Sequence, residues 1–434
     1  MSVFAETSRR FALTPGVDLP IIRDGQGDTL ARLASFCVIG ALVFNALLCL
    51  INTKVMGISD SHVMLSEMVL IGSIFIVALN RRTGLYLVLG VYISYMLFLF
   101  ALRGQSDLKA LRDILIPIGF YFAGHGLANL KLADRLVIAS TAIVLGFGLF
   151  EYFFLDLYIS FFNVIGYYLA RGSVTLDQLY GQTTGLFISG MRPSARTILP
   201  FLGLQRVSSV FLEPVSVGNF GAIVYAWALF RPSMRLRWTT FAMALAIIAL
   251  GDARFGLYTC VLMTLLYPFY PLIPRTVWYV LPFFMLSVLA YYGIVTGTSG
   301  GPNDIGGRFQ VTAHILTELN LRVVLGAETT TQFTADSGLA YTLTKFGLFG
   351  FIGLWALFIF APARAPKARS FHSMVIVYLM LLMIISDSLY SIKTAALLWF
   401  LLGTVNALDW PETSAKDGLK PGQQRVFKRG LRIA

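Results

Sequence analysis

Apolar runs of about twenty residues recur along this chain between residues 31 and 408, each long enough to cross about 30 Å of hydrocarbon as a helix. In lipid every backbone polar group must be satisfied within the protein, which leaves only helices or closed barrels. A barrel would show short segments of alternating hydrophobicity, and the sequence has none. Composition agrees. The chain is 57% hydrophobic and 13% charged, with a mean hydropathy of +0.74; soluble domains are about a quarter charged. The sequence reads as an all-α polytopic integral membrane protein.

Twelve spans are expected, at roughly 31–51, 62–79, 84–102, 110–128, 134–155, 214–230, 237–251, 255–271, 277–295, 337–360, 372–386 and 390–408. Two connections are long, about 156–213 and 296–336, and the remainder are short. Residues 1–30 are polar and contain Pro15 and Pro20, which suits a cytosolic tail better than a cleavable signal peptide. Residues 409–434 form a basic tail suited to anionic lipid.

The net charge of +12 does not point to nucleic acid, because the basic residues concentrate in alternate short loops. With the N-terminus inside, the segments on that side hold 21 of the 34 Lys and Arg but 8 of the 22 Asp and Glu. This is the positive-inside pattern. It predicts cytoplasmic ends and two long outer loops. An aromatic stretch from Tyr152-Phe153-Phe154 to Tyr167-Tyr168 reads as a span end followed by an interfacial helix, or as an aromatic belt.

Several ionisable residues fall on the outer side, where orientation does not require arginine. Gln205-Arg206-Val207-Ser208-Ser209-Val210-Phe211-Leu212-Glu213-Pro214 brings an arginine and a glutamate to a loop–span junction. Pro214 suits a first helical turn, and Glu213 then sits where a helix dipole favours a carboxylate. Asp252 and Arg254 occupy a tight turn and could pair with each other. Arg308 follows Gly306-Gly307 in what reads as a flexible loop, and Asp336 precedes a span as a possible cap. Arg112 and Asp113 are neighbours and so should face different ways on a helix, each needing another partner. Asp387 and Lys393 form a further candidate pair.

Arg112, Arg206, Arg254 and Arg308 together offer guanidiniums suited to phosphate oxygens, with Glu213 and Asp336 as carboxylates. No metal-ligand spacing appears among Cys37, Cys49 and Cys260 or among His62, His125, His314 and His372, and no cofactor motif is present. His314 reads as a residue of a surface helix more readily than as a functional one.

The segment Arg206 to Pro214 is similar to the R-x-x-S-x-F-x-E-P stretch of the bacterial O-antigen ligase and Wzy-type polysaccharide polymerase superfamily. Leu111-Arg112-Asp113, Asp252 to Gly256, Arg308, Asp336-Ser337-Gly338 and Lys345 to Gly350 extend the resemblance across most of the chain. Ligases of that superfamily commonly carry a histidine near the end of the late outer loop. Asp336-Ser337 stands there in this sequence, a departure that favours the polymerases, particularly the exopolysaccharide (xanthan-type) group.

The resemblance implies a GT-C-like, metal-independent glycosyltransferase of the inner membrane, without a cofactor. Its substrates would be undecaprenyl-pyrophosphate-linked oligosaccharides, and its partners a flippase and chain-length-regulating membrane proteins. Arg112, Arg206, Arg254 and Arg308 would hold pyrophosphate, and Glu213 or Asp336 would assist deprotonation of the acceptor hydroxyl. A ligase is the alternative within the superfamily. A transporter of polysaccharide or lipid-linked sugar is the alternative of another class, although the chain shows no repeated halves.

Overall fold

The computed structural model describes residues 24–79, 83–179, 185–192, 196–296, 305–330, 334, 336–363 and 365–408. The basic tail from residue 409 and the N-terminal residues to 23 lie outside these. In chain order the helices are α1 (Asp24–Lys54), α2 (Asp60–Ala78), α3 (Thr83–Arg103), α4 (Leu108–Leu127), α5 (Leu130–Phe153), α6 (Leu155–Phe161), α7 (Val164–Ala170) and α8 (Pro214–Phe230). They continue as α9 (Arg237–Leu250), α10 (Arg254–Leu266), α11 (Arg275–Thr296), α12 (Ile305–Glu318), α13 (Leu321–Val324), α14 (Gly338–Ile359), α15 (Pro366–Ile385) and α16 (Ile392–Ala407). Among the described residues the one β-type pairing is an isolated bridge between Met191 and Gln205.

The chain is therefore an all-α membrane protein. Seven helices, α1, α2, α3, α5, α11, α14 and α15, are long and apolar enough to cross a bilayer. Each of the twelve expected stretches lies on a helix. The remaining five are α4, which carries Lys109, Arg112 and Asp113 in its first turns, and the shorter α8, α9, α10 and α16.

Burial separates a centre from a rim. α8, α15 and α16 are buried on nearly every face. α3, by contrast, exposes Leu87, Val91, Leu97 and Phe98, as a lipid-facing helix must. Without a hydrophobic force between helices in lipid, small residues permit close backbone approach. Gly124 of α4 rests on the Phe400 backbone, and Gly403 of α16 rests on that of Tyr121.

One end of the bundle gathers most of the polar contacts between distant segments. The opposite end carries the pair Asp134–Arg231 (2.9 Å) and Arg275, which donates to the carbonyls of Ala361 and Ala363. The expected interfacial helix is two short helices, α6 and α7. Their Tyr158, Tyr167 and Tyr168 are buried against the bundle instead of lying in headgroups. Tyr167 donates to Asn45 Oδ1 of α1 at 2.7 Å, and Arg171 stacks on Tyr167 and Tyr168 while pairing with Asp60 at 2.8 Å.

α14 is broken at Gly347, whose φ of 67° departs from helix. The carbonyls that lose their helical partners are taken up elsewhere. Arg103, the last residue of α3, donates to Gly326 O (2.9 Å), Lys345 O (3.0 Å) and Thr344 O (3.1 Å). Tyr95 donates to Phe346 O at 2.5 Å. Gly326 and Gly347 touch backbone to backbone, and a Cβ on Gly347 would lie 2.9 Å from the Gly326 Cα.

Candidate functional site

The segment Arg206 to Pro214 is shaped by a carboxylate that sequence reading did not single out. Glu151, fully buried in the last turn of α5, accepts from the backbone N–H of Ser208 (2.9 Å) and of Ser209 (2.6 Å). Ser209 Oγ donates to Val144 O at 2.7 Å. Held in this way, the segment adopts left-handed backbone at Ser209 (φ 50°) and Leu212 (φ 64°). Such conformations are costly for residues with a side chain and concentrate where surrounding structure over-determines them. The turn presents Arg206 at one end and Glu213 at the other.

At the Arg206 end lies a group of guanidiniums at the C-terminus of α9. Arg206 is 8% exposed and donates from Nε to Gly251 O (3.1 Å) and from Nη1 to Ser189 O (3.2 Å). Arg196 donates to the carbonyls of Ala249 and Leu250. These carbonyls form the negative end of the helix dipole. Asp252, buried and at φ 45°, accepts Arg192 Nε at 2.7 Å and the backbone N–H of Thr197 (3.1 Å) and Ile198 (2.8 Å). Asp252 is thus occupied by Arg192 and the loop, contrary to the expectation of a simple pair with Arg254.

Arg192, Arg196 and Arg254 all lie near enough to Arg206 to act on its charge, against the single carboxylate of Asp252. Burial first, and the neighbouring Arg192 next, lower the Arg206 pKa to about 10. Arg196 is 2% exposed, yet its Nε and Nη1 have no hydrogen-bond partner among the described residues. Buried donors are rarely left so. A largely buried group of positive charges with unused donors is a favourable place for an anion with several oxygens.

Glu213 stands at the N-cap of α8 with Pro214 as the first helical residue, as expected, but its side chain does not cap the helix. It accepts hydrogen bonds from Tyr168 and from Ser216 Oγ (3.2 Å) and pairs with Lys393 Nζ at 3.3 Å. Burial opposes its ionisation, but Lys393 and the two hydroxyls prevail and hold the carboxyl below its ordinary value. Lys393 therefore belongs to Glu213, not to Asp387 as the sequence suggested.

Asp387, between α15 and α16, forms no ion pair among the described residues, and the backbone hydrogen bond to its carboxyl comes from its own residue. Burial raises its pKa to about 6; Lys109 works against the rise, and Asp113 and Glu213 add to it.

Arg112 and Asp113 contact each other despite being neighbours, because the long guanidinium curls back to Asp113 Oδ1 at 2.7 Å. Each also has the outside partner that was expected. Arg112 pairs with Glu67 of α2, and Asp113 Oδ2 accepts Tyr341 OH of α14 at 2.6 Å. Above this knot, Lys109 lies 5.5 Å from the Tyr341 ring centre, and Lys345 pairs with Asp107 at 2.7 Å.

The four arginines expected to act together are thus divided. Arg206 and Arg254 share one cluster, joined by the unforeseen Arg192 and Arg196. Arg112 is held among acids beside α14. The side chain of Arg308 lies outside the described residues, although Gly306 and Gly307 are helical, at the start of α12, and not a flexible loop. Asp336 lies one residue before the true cap, Ser337, whose hydroxyl accepts from Ala340 N at 3.2 Å. His314 is half-exposed and within 3.2 Å of Glu318 one turn on, as a surface helix residue would be.

Arg192 and Arg196 were legible by the criterion that picked out Arg254, being arginines in a loop expected on the outer side. Glu151 was legible by a different signal, as a carboxylate inside the expected span 134–155. No family model matches the chain, and no curated protein or solved structure matches it.

Proposed function

We propose that the protein is a GT-C-like polymerase of undecaprenyl-pyrophosphate-linked oligosaccharide repeat units, acting on the outer face of the bacterial inner membrane in exopolysaccharide or O-antigen biosynthesis. The observation that carries this reading is the group of buried Arg196 and Arg206 with part-buried Arg192 and Arg254 around one aspartate, Arg196 having two donors unused among the described residues. A pyrophosphate suits it in charge and in oxygen count. The resemblance of Arg206 to Pro214 to the superfamily's stretch supports the same assignment. Twelve spans with both ends cytoplasmic fit the twelve helical stretches and the alternation of basic loops.

In this reading the acceptor's sugar hydroxyl attacks the anomeric carbon of the donor. The bond from that carbon to the pyrophosphate oxygen breaks, and the polyprenyl pyrophosphate leaves with the electron pair. Guanidiniums fixed beforehand stabilise the charge that builds on the leaving oxygen. A carboxylate takes the hydroxyl proton. Glu213 is held ionised by Lys393 and two hydroxyl donors, which makes it a weak base. Asp387, without an ion pair among the described residues and with its pKa raised to about 6, is better matched to proton transfer near neutrality. Glu213 then orients the site.

The test is reconstitution of the purified protein in liposomes with lipid-linked repeat units, followed by gel analysis of the product. A ladder of elongated chains made by this protein alone supports a polymerase. Transfer of preformed chains to a different acceptor without elongation indicates a ligase. Movement of substrate across the bilayer without new glycosidic bonds indicates a transporter.

A further inference from the structure

A cavity of about 1080 Å³ lies between α3, α4 and α14, with residues of α15 and α16 behind it. It exceeds the ~300–1,000 Å³ usual for small-molecule sites. Its wall is made of carbon: Val88 and Val91 of α3, Pro117 and Phe122 of α4, Phe349 and Leu354 of α14. The hydroxyls that reach it are already spent. Tyr92 donates to the carbonyls of Ala110 and Leu111, both at 2.9 Å, and Thr342 and Tyr390 bond each other at 2.7 Å. The rim residues Val91 and Phe349 are 57% and 65% exposed, so the cavity is a groove open to the side of the bundle.

The groove follows α4 from Ile114 to His125. At 1.5 Å per residue that is about 16 Å, roughly half the hydrocarbon thickness. Its upper end adjoins the Asp113–Tyr341 contact. There Lys109 is exposed, lies over the Tyr341 ring and forms no ion pair among the described residues. A long apolar slot ending beneath an uncommitted cation matches a lipid with an anionic head.

We propose that this groove seats the lipid chain of the incoming, acceptor substrate, with its pyrophosphate at Lys109. The assignment rests on the polymerase reading, in which two lipid-linked substrates must be bound at once. The arginine group at α9 serves the donor, and the groove beside α4 serves the second lipid, bringing its head to the side of the site where Asp387 lies.

The test is photolabelling of the full chain in phospholipid liposomes with a polyprenyl pyrophosphate bearing a diazirine in its chain. Gly353 borders the groove, and a Cβ there meets nothing within 4 Å, so Gly353→Trp fills the slot without moving backbone. Gly146 of α5 is equally open and lies away from the groove, so Gly146→Trp serves as the control. The expected result is label on peptides of α3, α4 and α14, at least ten-fold weaker in Gly353→Trp, several-fold weaker in Lys109→Ala and unchanged in Gly146→Trp. Binding of inorganic pyrophosphate at the arginine group should be unaffected in all three.

Label displaced equally well by excess phospholipid means the groove holds bulk lipid, and the proposal falls. Label unchanged in Gly353→Trp also overturns it. Elongation by a protein that takes no label there defeats the groove assignment alone. Label with the expected pattern in a protein that never elongates chains supports the lipid site and defeats the polymerase reading.

Discussion

Replacing Arg103 with alanine tests whether the break in α14 is held by the three hydrogen bonds from this one side chain. Its guanidinium donates to the carbonyls of Gly326, Lys345 and Thr344 at 2.9, 3.0 and 3.1 Å. A hydrogen bond to a charged group contributes about 1.5–3 kcal/mol net. Three would give about 4–9 kcal/mol if dry, but Arg103 is only part-buried, and halving for solvent leaves about 2–4 kcal/mol. For a chain of this size that is a fall of roughly 2–4 °C in the thermal midpoint. The assay is tryptophan fluorescence of the purified protein in detergent, paired with hydrogen exchange of the amides on either side of Gly347. Arg103→Lys should recover no more than about a third, because an ammonium does not reproduce the guanidinium fork. Tyr95→Phe, which removes one neutral bond to Phe346 O, should cost about 1 kcal/mol. An unchanged midpoint in Arg103→Ala, or equal behaviour of the Ala and Lys variants, refutes the reasoning.

Three further outcomes are expected. Asp387→Asn should lower elongation about 100-fold or more while leaving protein level unchanged, measured in the liposome assay; since the base must be ionised, wild-type rate should fall as pH drops through about 6. Lys393→Met should destabilise the protein by about 1–3 kcal/mol, because the pair it breaks is partly open at Glu213 (29% exposed) and nearly closed at Lys393 (11%). The double variant Lys393→Met, Glu213→Gln should recover most of that in the same thermal assay. Gly403→Ala should cost about 3 kcal/mol or more and lower the membrane-inserted yield, since the added methyl meets the Tyr121 carbonyl.

The helices were legible because an apolar run is a strong signal and lipid leaves the backbone no other option. What interrupts a run was not. Gly347 sits in an apolar stretch like other glycines, and only Gly326, Arg103 and Tyr95, distant in sequence, make it a break. Gly306 and Gly307 erred the other way and joined α12. Arg206 and Glu213 were visible as a local pattern, because both flank one short turn. Their partners were not, since Lys393 pairs with Glu213 across 180 residues and Tyr341 meets Asp113 across 228. Burial makes those choices. Asp252 took Arg192 in preference to a nearby residue because the loop carrying Arg192 folds over the α9–α10 turn.

The position of α16 bears on how the protein is made. Its side chains from Ile392 to Asn406 are nearly all buried, and it lies against α4, α1, α15, α5 and α8. The last of the described helices in chain order is therefore among the innermost. Every helix before it enters the membrane without its central neighbour, and the slot lined by Gly124 must stay accessible until α16 has been made. The bundle cannot close progressively from its N-terminus, as a chain of successive hairpins would. Shortening the chain before Ile392 removes the keystone and not a trailing segment, so the product should be cleared by membrane proteolysis. A separately supplied α16 segment should rescue it, if the open slot persists for long enough to be filled.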